Sequence, residues 1–427
     1  MSIGVSSWSE PVIRVGVWER RLAGLVLFLL LVKVPGAGLF PASVIVALAA
    51  IPLIVHGPHL TRLTRWLIPI GLVTASAGYV LRLMIDPTKG SPGEFSASIL
   101  IALWVLSMPL IIVLGLWCIV RTGYLQGAVL LAAGATLSTL LNAGGGLQWK
   151  GSVGIFVTML LVTHVAGRPL IYSRLVLGAA TIVNALTDAR SMALITAIAL
   201  GATFLNARTL GWVRRRPVRS FLLAIVSVWA LATLMLTLMQ SGVLGAAIQA
   251  RTISQMRGGQ SVILGGRAEW AATLDLLGAQ PQGFGVGVSA DSGLQSGAVA
   301  AAGSVGGDIF SGYYRTYVFG ERTDLHSQLA DTWFHFGWLG VLLIAVLIAT
   351  VCVGAPYAIG SMRAAGVTAI LASLVSIWDL LFSPMADSDR SIAGIVMAAA
   401  IVVYSRARQR DDQTLSNARS DLTRAMG

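Results

Sequence analysis

Long apolar runs constrain the fold of this chain more than any other feature. Run after run of about 20 residues carries little or no charge, which matches the hydrocarbon thickness of a lipid bilayer. Of the 427 residues, 56% are hydrophobic and 11% are charged, whereas an ordinary globular chain carries about 25% charge. The runs lack β-barrel alternation, so helices must satisfy the backbone in lipid. The sequence therefore predicts an all-α, polytopic transmembrane helical bundle.

About twelve membrane-spanning helices are predicted from these runs. The first, 22–34, follows three arginines and is interpreted as a retained signal anchor. The others are 39–55, 66–85, 99–120, 124–141, 153–166, 170–186, 192–205, 221–239, 329–353, 364–382 and 392–404.

The net charge of +12 comes from basic residues in short clusters between the apolar runs. Such clusters indicate membrane topology and not a nucleic-acid surface, so we expect no nucleic-acid partner. The strongest cluster is "RTLGWVRRRPVR", which begins at Arg208. It predicts that the segment after Met239 is extracytoplasmic and that both termini are cytoplasmic.

Four regions follow from this topology. Helices 1–9 occupy 1–239, a long extracytoplasmic (periplasmic) loop occupies 240–325, helices 10–12 occupy 326–404, and a charged cytoplasmic tail occupies 405–427. Loops of this length are usually functional, so we expect this loop to contribute to the activity of the protein. Its segment "GGRAEWAATLDLLGAQPQGFGVG" has Trp270, Leu274 and Leu277 at helical spacing before Pro281, which indicates an interfacial helix. The Gly/Ala/Ser-rich stretch 289–312 predicts a mobile flap.

Several chemistries are disfavoured by the sequence. Cys118 and Cys352 lie inside apolar runs and the five histidines are not at metal-ligand spacing, so we expect no disulfide framework, metal site or cofactor. The glycine-rich "GFGVGVSADSG" is not followed by Lys-Ser/Thr, which argues against a nucleotide loop. The Gly-x-Ser-x-Gly elbow of serine hydrolases is absent from the sequence, which argues against a serine hydrolase.

Ionisable residues gather near the predicted outer face, although they come from distant parts of the chain. Charged groups within spans are costly and usually mark a site. The candidates are Asp188, Arg190, Arg267, Asp324, His326, Asp331, His335 and Asp379.

Each candidate also has a structural interpretation. Arg190 either snorkels to headgroups or clamps a phosphate, and Arg267 either is solvated on an amphipathic helix or binds an anion. His326 is either a structural interfacial histidine or a functional one. His335 is interpreted as a buried, satisfied histidine, and Asp379 either reaches a cavity or pairs with a neighbouring arginine.

Three ordered segments resemble the O-antigen ligase and O-antigen polymerase (Wzy-C-like) family of bacterial membrane glycosyltransferases. They are "LTDARSMALI" from Leu186, the loop segment from Gly265 quoted above, and "HSQLADTWFHFGWLGVLL" from His326. The resemblance covers about 170–345. The chain departs from the family in the 289–312 stretch and in Ser327, where asparagine is common, and these departures leave the acceptor open.

The resemblance implies a GT-C-like fold in the cytoplasmic (inner) membrane and a site on its extracytoplasmic side. The implied donor is an undecaprenyl-pyrophosphate-linked glycan, used without a metal, and the acceptor is a hydroxyl-bearing glycan or lipid. Arg190, Arg267 and His326 correspond to the family's functional residues. We expect the arginines to bind the pyrophosphate and His326 to act as general base. Further substrate-binding candidates are Arg315, Arg322, Asp324 and Asp379.

A secondary transporter or flippase of lipid-linked saccharide is the alternative, because it would also place charges among helices. Such a protein is expected to show paired halves and broken helices near the midplane. The sequence shows neither plainly, and the long outer loop favours an enzyme.

Overall fold

A computed structural model describes the residues 6–33, 62–142, 149, 153–205, 226, 229–230, 233–234, 236–243, 245–255, 267–310, 312–320, 323–361, 365–385 and 388–426. It is 78% helical. Five of the described helices are long and apolar enough to cross a membrane, and four shorter ones are apolar. The chain is thus a helical membrane protein by length and composition.

The first half of the chain contributes eight described helices. They are α1 (Ser6–Ser9), α2 (Val17–Leu29), α3 (Arg62–Met84), α4 (Phe95–Thr122), α5 (Tyr124–Leu141), α6 (Gly154–His164), α7 (Leu170–Leu186) and α8 (Arg190–Ala202). The second half contributes α9 (Ala246–Gln255), α10 (Glu269–Ala279), α11 (Ser292–Ser304), α12 (Gln328–Gly360), α13 (Gly366–Phe382) and α14 (Ser388–Met426). Strands β1 (Gly90–Pro92) and β2 (Val288–Ala290) pair antiparallel.

These helices agree with most of the predicted spans to within a few residues. The predicted span 39–55 and the basic cluster 208–219 lie outside the described residues, and the span 221–239 is described only in part. The last helix continues through Met426, so the predicted tail extends α14.

Contacts between helices define two ends of the bundle. At the first end, Arg121 Nε on α4 lies 2.7 Å from Glu19 Oε1 on α2, and the Tyr404 hydroxyl donates to the Ile119 carbonyl. At the second end, Lys33 Nζ, just after α2, lies 2.7 Å from Asp389 Oδ2 on α14. Helices α2 and α14 therefore run antiparallel, and α14 begins at the second end.

The described residues between 267 and 325, here called the cap, form a second apolar core. Leu276 of α10 is fully buried, as are Ala298 and Ala302 of α11. Helix α10 confirms the helix predicted before Pro281. Most of the stretch 289–312, for which a mobile flap was predicted, forms β2 and α11. Alanines four residues apart give α11 a flat face that packs on α10 at little cost in side-chain entropy.

Helix α12 is broken at Gly337, which has φ 63° and ψ −149°. The Phe334 carbonyl, in the turn before this break, accepts hydrogen bonds from the amides of Phe284 and Gly285, at 2.8 and 3.2 Å. The Phe284 and Phe334 rings stack with centroids 4.5 Å apart. One apolar span thus does contain a broken helix, which the sequence did not show.

The loop that fills this break is held by Arg82 at the end of α3. Its guanidinium donates to the carbonyls of Val286 and Gly287, both at 3.1 Å, and to the Gly93 carbonyl at 2.7 Å. Gly285 adopts φ 103°, and a Cβ there would collide with the α3 backbone. The alternating glycines of "GFGVG" therefore allow this close backbone approach.

Candidate functional site

Arg267 lies just before α10 and contacts the end of α13. Its Cζ is 5.6 Å from the Trp378 ring centroid and 5.8 Å from that of Phe382. Among the residues that the structure describes, its guanidinium makes no ion pair or hydrogen bond. Burial lowers the pKa of Arg267 against the opposing charges of Glu269 and Asp379, yet an arginine stays protonated. Arg267 therefore offers a cation to an anionic ligand.

His326 lies just before α12 in a left-handed backbone conformation, with φ 57°. This conformation is uncommon outside glycine and costs free energy, so it points to a functional constraint. Asp324 stabilises it, because its Oδ1 accepts the His326 amide at 2.9 Å and lies 3.5 Å from Nδ1 of the imidazole. Asp324 thus holds the backbone of His326 and lies within ion-pair distance of its ring.

The protonation of His326 reflects two opposed effects. Burial alone lowers the pKa of His326, but the hydrogen bond and negative charge of Asp324, with the charge of Glu269, raise this pKa above its ordinary value. The charge of Arg267 acts in the lowering direction. Relative to a histidine in water, Asp324 and Glu269 therefore favour the protonated imidazole of His326.

Tyr313 connects the start of α10 with His326. Its hydroxyl donates to Glu269 Oε1 at 2.9 Å, and its ring meets the imidazole edge-on with centroids 5.6 Å apart. Burial and the charge of Glu269 raise the pKa of Tyr313, so its hydroxyl stays a donor. Arg267, Glu269, Tyr313, Asp324 and His326 are called the Arg267–His326 cluster below.

Asp379 lies behind this cluster and is fully buried near the end of α13. Its Oδ2 is 2.9 Å from Arg390 Nε, and its Oδ1 accepts the Ser383 hydroxyl at 2.7 Å. Of the two interpretations of Asp379, the structure therefore agrees with the one in which it pairs with a neighbouring arginine.

Two more candidates lie inside α12 and contact the backbone. Asp331 is buried and accepts the amides of Leu325 and Met385, so it joins the start of α12 to the segment after α13. His335 is 2% exposed, and its Nδ1 lies 3.4 Å from the Gly285 carbonyl. The prediction that His335 is a buried, satisfied histidine is confirmed.

Arg190 begins α8 and pairs with Asp188, whose Oδ1 lies 2.7 Å from its Nε. Thr163, near the end of α6, bonds Thr368, near the start of α13. The end of α6 therefore lies near the start of α13. Because α6 and α7 are successive apolar helices of the bundle, α7 returns to the opposite end, and α8 begins there. This is the second end of the bundle, where α13 ends. Helix α8 also packs on α13. Arg190 thus shares an end of the bundle with Arg267 but approaches α13 on another helix.

The remaining two arginines differ in what the structure describes of them. Arg315 is exposed on the π-helical turn Tyr314–Val318 of the cap. Arg322 lies outside the described residues. Within the described part of the chain, no group of three or more His, Cys, Asp or Glu side chains is placed to hold a metal ion.

The sequence analysis missed Glu269, Tyr313 and Arg390. Arg390 had a usable signal, since it is a cation just before the last apolar run, at the end predicted to face outward. Glu269 and Tyr313 had none, because their relevance depends on a contact across 44 residues of chain.

Neither protein-family models nor curated proteins give a match to this chain. Function is therefore inferred from the geometry of the site and from the resemblance of three sequence segments.

Proposed function

We propose that the protein is a membrane glycosyltransferase, similar to O-antigen ligases and polymerases, in the synthesis of cell-envelope glycans. It transfers or polymerises a glycan carried on a polyprenyl (undecaprenyl) pyrophosphate onto a hydroxyl acceptor. One observation carries this proposal: the cluster contains both Arg267 and His326. Arg267 has no anionic partner among the described residues, and His326 has a strained backbone that Asp324 stabilises.

The proposed reaction assigns a role to each side of the cluster. The acceptor oxygen attacks the anomeric carbon while His326 takes the proton of its hydroxyl. The bond between that carbon and the phosphate oxygen breaks, and its electron pair stays on the polyprenyl pyrophosphate. Arg267 stabilises the charge that develops on this leaving group, and Arg190 binds the pyrophosphate from α8.

The aromatic surroundings of Arg267 support this role. Trp378 and Phe382 lie within 6 Å of its guanidinium, so the arginine is positioned without its charge being neutralised. An arginine in a partly buried, water-poor site stabilises phosphate charge more strongly than one in water.

The finer architecture belongs to the same proposal. It comprises about twelve spans, a GT-C-like bundle in the cytoplasmic membrane, and the second end of the bundle facing the extracytoplasmic side. Placement of Arg190, Arg267 and His326 toward one end supports it, because a lipid-linked donor presents its pyrophosphate at the membrane surface.

A flippase of lipid-linked saccharide is the second candidate, and the break in α12 favours it. The loop amides of Phe284 and Gly285 occupy the Phe334 carbonyl next to this break, however. In a transporter, the backbone groups exposed by a broken helix bind the substrate. Here the Phe334 carbonyl is already bound by the protein's own amides. We therefore prefer the enzyme.

The test uses purified full-length protein in nanodiscs, with polyprenyl-pyrophosphate-linked oligosaccharide and a hydroxyl acceptor. Wild type is expected to yield transferred glycan and free polyprenyl pyrophosphate. Arg267→Ala is expected to lower the rate about 10²- to 10³-fold, and His326→Ala about 10²- to 10⁴-fold. The readouts are glycan transfer by gel and pyrophosphate release by mass spectrometry.

Matched controls are available at the first end of the bundle. Arg168 and His164 are both exposed there, around the connection between α6 and α7. Arg168→Ala and His164→Ala are expected to retain wild-type activity. Full activity in both Arg267→Ala and His326→Ala would contradict the proposed site, and movement of intact lipid-linked saccharide without bond cleavage would support the flippase.

A further inference from the structure

The π-helical turn of the cap brings three tyrosines next to the proposed site. Such turns are rare and are frequent at functional sites. Tyr314 is buried in the core of the cap and Tyr313 is partly buried, whereas the side chain of Tyr317 is 65% exposed. The turn thus leads from the interior of the cap to its surface within five residues.

The rings of this turn are continuous with the imidazole of His326. The Tyr317 and Tyr313 centroids are 5.9 Å apart with their planes inclined at 35°, and Tyr313 is 5.6 Å from His326. Glu269 holds the Tyr313 hydroxyl, which fixes that ring. An aromatic path therefore runs from an exposed ring to the group proposed to remove a proton.

The chemistry of this path fits a saccharide. The face of an aromatic ring is electron-rich, and one face of a sugar ring presents C–H bonds of partial positive charge. Stacking of the two is tolerant of sugar identity, since it reads a surface and not a hydrogen-bond pattern. Exposed Arg315 on the same turn adds donors for hydroxyl or acid groups.

We propose that Tyr317 and Tyr313 form a stacking subsite for the acceptor, and that the acceptor is a glycan chain. This inference depends on the proposed function, because it takes His326 as the group that meets the acceptor hydroxyl. Arg267 lies against α13, while the tyrosines lie on the turn of the cap. Donor pyrophosphate and acceptor sugar thus reach His326 from different elements.

The test measures saccharide binding separately from transfer. The probe is the oligosaccharide released by mild acid from the lipid-linked glycan of the producing cells, and its binding to protein in nanodiscs is followed by saturation-transfer NMR. Tyr317→Ala is expected to weaken binding about tenfold, and Tyr317→Trp to restore it. In transfer assays, Tyr317→Ala should raise KM for this acceptor with kcat and the donor KM unchanged.

Phe310→Ala is the matched control, because Phe310 is an aromatic of the cap that is 93% exposed. It is expected to bind the saccharide as wild type does. Equal binding by wild type and Tyr317→Ala, with transfer intact, would overturn the subsite and leave the proposed function standing. Tyr317-dependent binding without any transfer would support the saccharide subsite and contradict the proposed function. If Tyr317→Ala changes only the stability of the protein in nanodiscs, the ring is a membrane anchor and the subsite is wrong.

Discussion

Asp324 Oδ1 accepts the amide hydrogen of His326 at 2.9 Å and lies 3.5 Å from Nδ1 of the same residue. One carboxylate therefore accepts the amide of a left-handed residue and favours the protonated form of its ring. An asparagine at position 324 would keep the amide acceptor but remove the negative charge, which separates these two effects.

Asp324→Asn is expected to lower the pKa of His326, since the hydrogen bond and charge of Asp324 oppose the lowering effect of burial. A general base works in its neutral form, so the rate of transfer rises with pH through this pKa. The acid limb of the pH–rate profile should therefore move to lower pH in the variant. Asp275→Asn, on the exposed face of α10, should leave the profile unchanged. An unshifted acid limb in Asp324→Asn would refute the coupling.

The same pair affects stability with a defined sign. A histidine with a raised pKa in the folded state stabilises that state fully below its ordinary pKa of about 6.5. This contribution disappears as pH rises through the folded-state value. Wild type should thus lose more thermal stability than Asp324→Asn when the pH is raised from 6 to 8 in differential scanning fluorimetry.

Gly285→Ala is expected to destabilise the protein by about 2 kcal/mol or more, through its positive φ and the collision of a Cβ with α3. Gly278→Ala is the control, because a Cβ there meets nothing within 4 Å. On a helix, this second change should stabilise by about 0.5–1 kcal/mol. Unfolding temperatures in detergent report both, and a neutral Gly285→Ala would contradict the docking of the loop.

Asp379→Asn alone is expected to cost about 3–5 kcal/mol, because it leaves the Arg390 cation buried next to a neutral partner. The double variant with Arg390→Gln should lose less than the sum of the single changes. The pair between Lys33 and Asp389 is partly exposed, so Lys33→Gln should cost only about 0–1 kcal/mol. Additive losses at 379 and 390 would show that the two residues are not coupled.

Ala302→Leu is expected to cost about 1–3 kcal/mol, because Ala302 is fully buried in the core of the cap. Ala300→Leu places the same side chain on the exposed face of α11 and should be nearly neutral. Hydrogen exchange of the α11 amides would show faster opening only in the first variant. Equal hydrogen exchange of these amides in the two variants would instead support a mobile flap.

Sequence reasoning succeeded where the signal was local. The span 124–141 coincides with α5 and the span 170–186 with α7, because a lipid-sized apolar run leaves the backbone no choice but helix. Pro281 marked the end of the helical pattern of α10. His335 was separated from His326 because it lies further along the chain, deeper in the predicted span.

It failed where the order of a segment depends on a distant partner. The Gly/Ala/Ser-rich stretch has few large apolar side chains of its own, yet α10 supplies the surface on which Ala298 and Ala302 pack. The break at Gly337 follows from amides about 50 residues upstream. The Arg267–His326 cluster was predicted in part, since its two arms are recognisable motifs, but Tyr313 and Glu269 join them only in three dimensions.

The filled break in α12 imposes an order on how the protein is made. The amides of Phe284 and Gly285 are synthesised before the Phe334 carbonyl that they bind. During translation these two amides therefore lack their α12 partner until Phe334 has been made, although Arg82 of α3 is already present to bind the Val286 and Gly287 carbonyls. Trp378 and Phe382, which lie against Arg267, are made later still, so a truncated chain that ends before α12 carries Arg267 without the groups that surround it.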